Sequence, residues 1–473
     1  MPGLAAFLRW LAVASLLRAS SPSSVSAPAP SLRGLSPSES APETMAEPSH
    51  RDVLARLPKI KCIFSDLDGT LCHFDRSAPA DAPADTPLLF LALCSVAPQP
   101  LCAYTHKYTH THTLGLALGS CRCIHGLARA STQAPHASLP VLFTFGCRHT
   151  AHFGVEIETD EAMARALVRN KEGEERECSL LPTSTMGNGV ISDRTLDLVR
   201  GLREHGVKFV MISGARTTTM FARLPRLPKC DAIACETGVK ILYPPGEDGD
   251  GESSSVPVAM QSPPTTDPYA HRAVNGELLS LDRQWSAAFE NVTGPLDSSL
   301  APLERHGSLW DLYRELSDLG LEPDARGYYG CFRVNCRGDD GKLALLRPFL
   351  EEATLSARGI AHAMNLGMFD FFPALAGKGP AVRFLQAKWG FKAEECIALF
   401  DDDNDLKMVD QCGVGMLPGI TSESVKQRLD SEPSWALARG SGTGVFATEE
   451  LLQAILDEVS ERARVLKDDS VSP

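Results

Sequence analysis

Two carboxylates separated by one residue, Asp66 and Asp68, follow a short apolar run at residues 62–65. That run predicts a buried strand, and carboxylates two residues apart at its end project to the same side. Gly69 follows at once and permits a sharp turn. Two such acids repel each other unless a cation lies between them, and Mg²⁺ accepts carboxylate oxygens together with substrate phosphate oxygens. The pattern therefore indicates a magnesium site in which one carboxylate is a nucleophile and the other a general acid and base.

Further polar groups occupy equivalent positions downstream. Ser213 and Asp401 each come directly after an apolar run. Because ligands of a parallel sheet bind at the carboxyl ends of its strands, we expect these side chains to lie near Asp66. Lys378 opens a predicted helix, where a cation is disfavoured by the helix dipole, so its position favours a functional role.

The segments between these residues alternate between two hydrophobic periods. Ser192 is a good N-cap for a helix predicted over residues 193–204. Strands are predicted at 207–212 and 396–400, where large apolar and β-branched residues cluster. This alternation predicts an α/β fold with a Rossmann-like, doubly wound parallel sheet. Residues 244–365 interrupt the rhythm and carry their own aromatic side chains, which predicts an inserted α+β cap domain.

The order of four motifs resembles the haloacid dehalogenase superfamily. The motifs are Asp-Leu-Asp-Gly-Thr at 66–70, Ser-Gly-Ala-Arg at 213–216, Gly-Lys-Gly at 377–379 and Asp-Asp-Asp-Asn-Asp at 401–405. The resemblance covers residues 59–75 and about 180–473. It implies a phosphoric monoester hydrolase that uses Mg²⁺.

The resemblance implies a role for each matched residue. Asp66 resembles the nucleophile that forms an aspartyl-phosphate, and Asp68 resembles the general acid that protonates the leaving alkoxide and later activates water. Ser213 resembles the hydroxyl that holds a phosphoryl oxygen. Lys378 resembles the lysine that neutralises the charge of nucleophile and phosphoryl group, and Asp401 resembles a magnesium ligand. All of these residues are identified by their motif positions.

The implied ligand sets are somewhat wider than these roles. The expected metal ligands are Asp66, Asp68 (through its backbone carbonyl), Asp401 and Asp405. The expected phosphate contacts are Leu67, Gly69, Thr70, Ser213, Gly214 and Lys378, with the amides of residues 67–70 forming an anion nest. Phe400 stands where the family usually has glycine, so the path of the last loop is open and Asp402 is an alternative metal ligand.

The position of the cap distinguishes subclasses of the family. Glu236-Thr237-Gly238 resembles the Glu-Asn-Gly signature of Cof-like members with a late α+β cap, and Thr237 departs from it. The Asp-Asp-Asp-Asn-Asp motif at 401–405 is similar to that of plant and algal HAD-like phosphatases. An early cap between Asp66 and Ser213 is the alternative, which the composition of that gap disfavours.

These observations divide the 473 residues into six segments. They are a targeting or disordered leader at 1–50, the first part of the HAD core at 51–75, a low-complexity insertion and linker expected to be disordered at 76–179, the second part of the core at 180–243, the α+β cap at 244–365, and the third part of the core with a C-terminal tail at 366–473.

Two of these segments are unusual in composition. Residues 1–44 contain arginines but no acid before Glu39, which suits an organellar transit peptide, such as a chloroplast one; translation from Met45 would instead give a cytoplasmic protein. Residues 76–152 contain an alternating Thr-His tract, the product expected from a translated dinucleotide repeat. We hypothesise that 76–152 is an unspliced intron or a lineage insertion, and transcript sequencing across it decides between these origins.

The overall charge restricts the partners. The net charge is −13 and the pI about 5.5, whereas nucleic acids and anionic membranes require a basic face. We therefore expect no nucleic acid and no membrane partner, and a small phosphorylated metabolite as substrate; oligomeric state is left open. Fourteen scattered cysteines without a disulfide-like rhythm, Cys62, Cys235 and Cys396 among them, indicate free thiols in a reducing compartment.

The predicted function is that of a magnesium-dependent phosphatase for a small phosphorylated metabolite, with a sugar phosphate as the preferred substrate class. One alternative retains the chemistry but transfers the phosphoryl group back to the sugar, as in a phosphomannomutase-like phosphomutase, which a bisphosphate would activate. A second alternative is a non-catalytic metabolite sensor on the same fold. The four intact motifs favour an enzyme over the sensor.

Overall fold

The computed structural model describes residues 49–74, 148–150, 156–160, 162–182, 189–244, 279–296, 299–365, 368–440 and 443–471. Residues 76–147 of the predicted insertion lie outside these ranges, as does the predicted leader apart from Ser49 and His50, the N-cap and first residue of the first helix. In the described part of the chain, no helix combines the length and the apolar character needed to cross a membrane.

The strands and helices are numbered in chain order. The strands are β1 Cys62–Ser65, β2 His73–Phe74, β3 Arg148–Thr150, β4 Glu156–Asp160, β5 Arg165–Arg169, β6 Glu175–Leu181, β7 Gly189–Ser192, β8 Lys208–Ile212, β9 Ala232–Cys235, β10 Lys240–Tyr243, β11 Ser280–Leu281, β12 Phe332–Asn335, β13 Ile360–Asn365, β14 Met368–Pro373, β15 Cys396–Leu399, β16 Val414–Leu417 and β17 Trp435–Leu437. The α-helices are α1 His50–Leu54, α2 Asp193–Glu204, α3 Thr217–Arg223, α4 Arg283–Ala287, α5 Glu290–Thr293, α6 Ser308–Asp318, α7 Asp340–Leu346, α8 Glu352–Ala357, α9 Lys378–Trp389, α10 Leu406–Val409, α11 Glu423–Leu429 and α12 Val445–Val471.

The largest sheet has the strand order β11-β10-β9-β8-β1-β15-β16-β17. The six strands β9, β8, β1, β15, β16 and β17 are parallel to one another. Strand β10 pairs antiparallel with β9, and β11 pairs antiparallel with β10. The predicted doubly wound α/β fold is therefore confirmed. Strand β1 lies at its centre, with Ser65 level with Met211 on one side and Leu399 on the other. Strand β8 lies on one side of β1 and β15 on the other, so the strand order reverses at β1. The crevice beyond the carboxyl end of β1 is therefore the expected ligand site.

Both faces of the parallel sheet are covered. In β1, Cys62 and Phe64 belong to one apolar cluster, whereas Ile63 belongs to another on the opposite face. The strand is fully buried, as expected when helices pack on both faces. Helix α2, capped by Ser192 as predicted, packs beside α12 on one of these faces.

A three-stranded antiparallel sheet, β12-β14-β13, forms the cap with helices α6 to α8. Residues 366–473 were predicted to belong to the core, and for residues 368–373 that prediction is wrong, because β14 pairs with β12 and β13. The apolar sequence Phe-Asp-Phe-Phe predicts burial, but burial alone does not determine which sheet a strand joins. The cap sheet therefore extends to Pro373.

A second antiparallel sheet, β2-β7-β6-β5-β4-β3, lies in the gap between Asp66 and Ser213 and is called the side sheet below. Residues 156–179 were expected to lack structure, but they supply most of β4, β5 and β6. The alternation in Arg165–Arg169 and the turn closed by Gly173, with φ of +84°, were signals for this hairpin. Most of the intervening low-complexity segment lies outside the described residues.

Candidate active site

Three carboxylates converge at the carboxyl edge of the parallel sheet. Asp66 follows β1, Asp401 follows β15, and Asp405 ends the short 3₁₀ turn Asp403–Asp405. One oxygen from each of the three carboxylates lies within 4.8 Å of the others. All three residues are buried, with Asp405 wholly inaccessible. We refer to them as the carboxylate cluster.

Lys378 provides the positive charge of this cluster. Its Nζ donates to Asp66 Oδ1 at 2.6 Å, Asp405 Oδ1 at 2.6 Å and Asn404 Oδ1 at 2.7 Å. The side chain reaches this point because α9 begins at Lys378, beside the loop after β15. Lys378 was predicted as a site residue and Asn404 was not, although Asn404 lies inside the motif at 401–405.

The ionisation of the cluster is governed by burial. Desolvation, reinforced by the charge of Asp405 and opposed by Lys378, raises the pKa of Asp66 to about 8. Burial also raises the pKa of Asp401 well above its usual range and raises that of Asp405. The carboxylates raise the pKa of Lys378, so its ammonium is retained. Three carboxylates facing one ammonium would carry two uncompensated negative charges, which disfavours full ionisation.

The cluster fits a divalent cation. When ionised, the three carboxylates together with Lys378 have a net charge of −2, which one Mg²⁺ balances. Asp405 Oδ2 is buried and has no hydrogen-bond partner among the described residues, although an unpartnered buried oxygen is costly. Carboxylate oxygens are the ligands that Mg²⁺ prefers. Asp66, Asp401 and Asp405 are therefore able to hold the ion together.

The turn after β1 is fitted closely to this cluster. Gly69 has φ of +102°, and a Cβ atom there would lie 2.2 Å from Asp401 Oδ2. No other residue type fits without moving Asp401. The next residue, Thr70, donates its hydroxyl to Asp401 Oδ1 at 2.8 Å. Thr70 thus contacts a cluster carboxylate, whereas its predicted role was contact with phosphate.

Asp68 lies apart from the carboxylate cluster. Its Oδ1 accepts from Arg223 Nη1 at 2.7 Å, and its Oδ2 accepts from Ser213 Oγ at 3.4 Å. The Asp68 side chain is 22% exposed, and that of Arg223 is 3% exposed. Ser213 and Asp68 are therefore brought together as predicted, and Asp68 remains the more accessible acid. The sequence analysis missed Arg223, whose only signal is a basic residue three positions after buried Met220.

Some of the predicted phosphate contacts have other partners. The Gly69 amide donates to the Cys72 carbonyl at 2.8 Å, so it is engaged within the loop rather than free for an anion nest. The Ser213 Oγ accepts from the Ala215 amide at 3.0 Å, which holds the hydroxyl at the start of the next loop. Contacts of phosphate with Leu67, Gly214 and the remaining amides stay predictions.

The loop after β15 resolves the question raised by Phe400. The Phe400 ring is buried against Trp435, at 4.8 Å between ring centroids, and Gly415 leaves room for it. Asp401 consequently enters the cluster, as the motif predicts. The Asp402 carboxylate instead accepts from the Asp403 amide at 2.8 Å, and Asp403 is exposed. The geometry therefore favours Asp401 and Asp405 over Asp402 as metal ligands.

Glu236 connects the parallel sheet to the cap. Its carboxylate accepts from the Tyr329 and Gly330 amides at 2.8–3.0 Å and from the Thr217 hydroxyl at 2.5 Å. Glu236 is wholly buried and has φ of +53°, a left-handed conformation that is costly for glutamate. Burial raises its pKa, while nearby Lys240 acts in the opposite direction. The Glu-Thr-Gly sequence thus marks a cap contact, a role that the sequence analysis did not assign.

The cap presents buried polar groups on the side of Tyr328. Arg333 forms a two-point contact with Asp370, with 2.7 Å between Nη2 and Oδ2. The guanidinium groups of Arg216 and Arg333 lie 5.1 and 6.0 Å from the centroid of the Tyr328 ring. Arg216 in turn donates to Asp324 at 2.7 Å. These contacts place charged groups from the core and the cap around one tyrosine.

One family model matches the chain. Its description is sucrose-6F-phosphate phosphohydrolase, and it matches residues 308–457, about a third of the chain. The matched part includes the cap sheet together with Lys378, Asp401 and Asp405. The parallel sheet, the four motifs and this match over a third of the chain support the resemblance to the haloacid dehalogenase superfamily and its phosphoric monoester hydrolases.

Several solved structures are similar at low identity, and no curated protein sequence matches the chain. The sucrose-phosphatase from Synechocystis sp. PCC6803, solved with sucrose and phosphate, is 13% identical over 57% of this chain and 92% of its own, with a TM-score of 0.39. A haloacid dehalogenase-like hydrolase from Bacillus subtilis is 14% identical over 56% and 82%, with a TM-score of 0.34. A phosphatase of the same superfamily from Bacteroides thetaiotaomicron is 15% identical over 60% and 92%, with a TM-score of 0.33. Likenesses at these TM-scores carry no part of the assignment.

Proposed function

We propose that this chain is a magnesium-dependent phosphatase that hydrolyses a small sugar phosphate through an aspartyl-phosphate on Asp66. The observation that carries the proposal is the buried contact of Asp66 with Lys378 inside the carboxylate cluster. Sucrose 6F-phosphate is the first candidate substrate, because the matched family model describes a phosphohydrolase of that compound.

The first half of the reaction transfers the phosphoryl group to the protein. A carboxylate oxygen of Asp66 attacks the phosphorus, the bond from phosphorus to the sugar oxygen breaks, and Asp68 gives its proton to the leaving alkoxide. Lys378 offsets negative charge on Asp66 and the phosphoryl oxygens, and the Ser213 hydroxyl orients one of those oxygens. Positioning and charge stabilisation of this kind dominate phosphoryl transfer.

The second half returns Asp66 to its starting state. The oxygen of a water molecule attacks the phosphorus, Asp68 accepts a proton from that water, and the bond from phosphorus to Asp66 breaks to release phosphate. Asp68 is suited to both steps because it is the more accessible of the two motif acids and lies beside Ser213.

A magnesium ion would be held by Asp66, Asp401 and Asp405. Bound there, it supplies positive charge that favours ionised carboxylates and stabilises phosphoryl oxygens. The unpartnered Oδ2 of Asp405 supports such an occupant.

The cap supplies polar groups suited to a sugar. Arg333, Asp370, Arg216 and Asp324 surround Tyr328 and could exchange their mutual contacts for contacts with hydroxyl groups. Arg326 also pairs with Asp324 and is 87% exposed, so it is available for an outer part of a substrate. Closure of a cap over such groups excludes water from the reacting centre.

A phosphate-release assay on purified protein tests the reaction. We expect release from sucrose 6F-phosphate or from hexose 6-phosphates with Mg²⁺, and a loss of at least about 10³-fold in kcat for Asp66→Asn, because the nucleophile is removed. Asp403→Asn, an exposed acid of the same loop, is the matched control and should stay near wild type. An inactive wild-type protein would refute the enzyme, whereas activation by a sugar bisphosphate with product isomerisation would indicate a phosphomutase.

Thermal unfolding tests the ion independently of turnover. Because an ion that binds only the folded state stabilises it by mass action, Mg²⁺ at 100 times its Kd should add about 2.7 kcal/mol and raise Tm. The increase should disappear for Asp401→Asn and persist for Asp403→Asn. An equal increase in all three proteins would show that the carboxylate cluster is not the binding site.

A further inference from the structure

Arg223 contacts the acid that the proposed reaction uses twice. Its Nη1 donates to Asp68 Oδ1 at 2.7 Å, although the two residues lie 155 positions apart in the chain. Ser213 reaches the other carboxylate oxygen from the opposite side at 3.4 Å. The Asp68 carboxylate is thereby held at both oxygens, beside the hydroxyl expected to orient the phosphoryl group.

Arg223 is itself held firmly by its surroundings. Its Nε donates to the Pro182 carbonyl at 3.5 Å, and its guanidinium carbon lies 5.4 Å from the centroid of the Phe74 ring. The side chain is 3% exposed, so it has little room to adopt another rotamer. Phe74 belongs to β2 and Pro182 follows β6, so the side sheet borders the site through this arginine.

Helix α3 fixes the backbone from which Arg223 extends. The helix begins at Thr217, whose hydroxyl donates to Glu236, and it ends at Arg223. One short helix therefore connects the cap contact at its start with the Asp68 contact at its end. The rigid support at both ends is what precise placement of a catalytic side chain requires.

We infer that Arg223 is a positioning residue, which orients the Asp68 carboxylate towards the oxygen of the leaving group. The inference rests on the proposed phosphatase reaction and adds a residue outside the four motifs to it. Arg223 contacts Asp68, Pro182 and Phe74, whereas Lys378 contacts Asp66 and Asp405, so the two cations support different acids of the motif. Loss of Arg223 should therefore affect proton donation and leave nucleophilic attack by Asp66 largely intact.

Leaving groups of different basicity separate this role from a merely structural one. A sugar alkoxide needs a proton as it departs, whereas p-nitrophenolate departs without one. We expect Arg223→Met to lower kcat/KM for the sugar phosphate by about 10²-fold, the usual size of a general-acid contribution. For p-nitrophenyl phosphate we expect a loss of less than about 5-fold, since proton donation matters little there.

Three variants complete the experiment. Arg223→Lys retains a cation but not the planar geometry, so it should fall between wild type and Arg223→Met for the sugar phosphate and also covers poor folding of Arg223→Met. Arg200→Met, on the exposed side of α2, should match wild type for both substrates. Asp68→Asn should reproduce the leaving-group dependence.

The outcomes distinguish the inference from the proposed function. Wild-type protein without activity on any sugar phosphate or on p-nitrophenyl phosphate overturns the proposed function. An active wild type with equal losses for both substrates in Arg223→Met and Arg223→Lys overturns the inference and leaves the phosphatase standing. A selective loss for the sugar phosphate supports Arg223 as a positioning residue.

Discussion

The cap sheet and the side sheet are both antiparallel and both border the active site, but they are held in different ways. The cap sheet shares an extended apolar cluster with the parallel sheet, including Phe332 and Phe371, whose stacked rings lie 5.1 Å apart. The side sheet has a small cluster of its own, closed by Val445 and Phe446 at the start of α12, and among its described residues only β2, β6 and β7 also reach a large cluster of the parallel sheet, through Phe74, Leu181 and Ile191. Apolar burial thus supports β4 and β5 least.

The polar contacts of the two sheets differ in the same direction. In the cap sheet, Arg333 and Asp370 form a buried ion pair, and Glu236 binds two cap amides from within the core. In the side sheet, Arg165 pairs with Asp193 and Glu177 at positions a third or more exposed. A buried contact fixes a position because breaking it leaves an unpaired group, whereas water replaces an exposed one. Glu236 therefore joins the cap to the core through buried contacts, whereas the side sheet meets α2 and α12 through the exposed pair of Arg165 with Asp193 and the part-buried pair of Arg176 with Glu449.

Arg333→Met should produce the largest change in stability. It removes the guanidinium that pairs with the buried Asp370 carboxylate, and breaking a buried pair in this way costs about 3–5 kcal/mol. The matched change in the side sheet, Arg165→Met, breaks exposed pairs and should cost less than about 1 kcal/mol. Urea unfolding of both variants measures the difference. Similar losses in the two would contradict the contrast between the sheets.

Glu236→Gln should have the next largest effect. One oxygen becomes an amide NH₂ that faces the backbone N–H groups of Tyr329 or Gly330, so a donor meets a donor. We expect a loss of about 2–3 kcal/mol in unfolding free energy and a higher KM, because the cap contact loosens. Glu177→Gln, on the exposed side sheet, is the control. An unchanged KM with unchanged stability would argue that Glu236 does not hold the cap.

His73→Gln should have a smaller effect that depends on pH. Burial lowers the pKa of His73 to about 4, and the ring contacts the Thr448 hydroxyl at 3.0 Å. In the unfolded chain, His73 has a pKa of about 6.5 and binds a proton below that pH, whereas in the folded chain it stays neutral down to about pH 4. Stability therefore falls as the pH drops from about 6.5 to about 4.

The size of this effect follows from the same shift. Between pH 7 and pH 5 the loss due to His73 is about 2 kcal/mol, and His73→Gln should remove that part of the pH dependence. Thermal unfolding of both proteins across this interval measures it. His205→Gln, on the exposed end of α2, is the control and should leave the pH dependence unchanged. A pH dependence in His73→Gln equal to that of the wild type would show that His73 does not contribute to it.

The part of the site that local pattern determines was predicted closely. Asp66 and Asp401 are adjacent because each follows a buried strand, and β1 and β15 are neighbours in register. Lys378 was predicted because the helix dipole disfavours a cation at a helix N-terminus, so that its position there favours a functional role. Cys62, Cys235 and Cys396 are buried free thiols, as their places in apolar strands predicted.

Contacts outside the motifs could not be predicted from local sequence pattern. Arg223 meets Asp68 across 155 residues, and neither the composition nor the period of α3 signals that meeting. The side sheet was missed because low-complexity sequence adjoins it, although β5 and β6 alternate clearly. Here the error came from extending one segment's composition over its neighbour.

The sequence by itself determined the class of fold, the order of the motifs and the residues of the carboxylate cluster. These depend on strand periodicity and on the rule that parallel strand ends share an edge, and both are local or topological. Only the tertiary structure decided that β14 joins the cap, that Glu236 binds cap amides, and that Arg223 contacts Asp68. Those contacts depend on the packing of side chains from distant segments, which no hydrophobic period encodes.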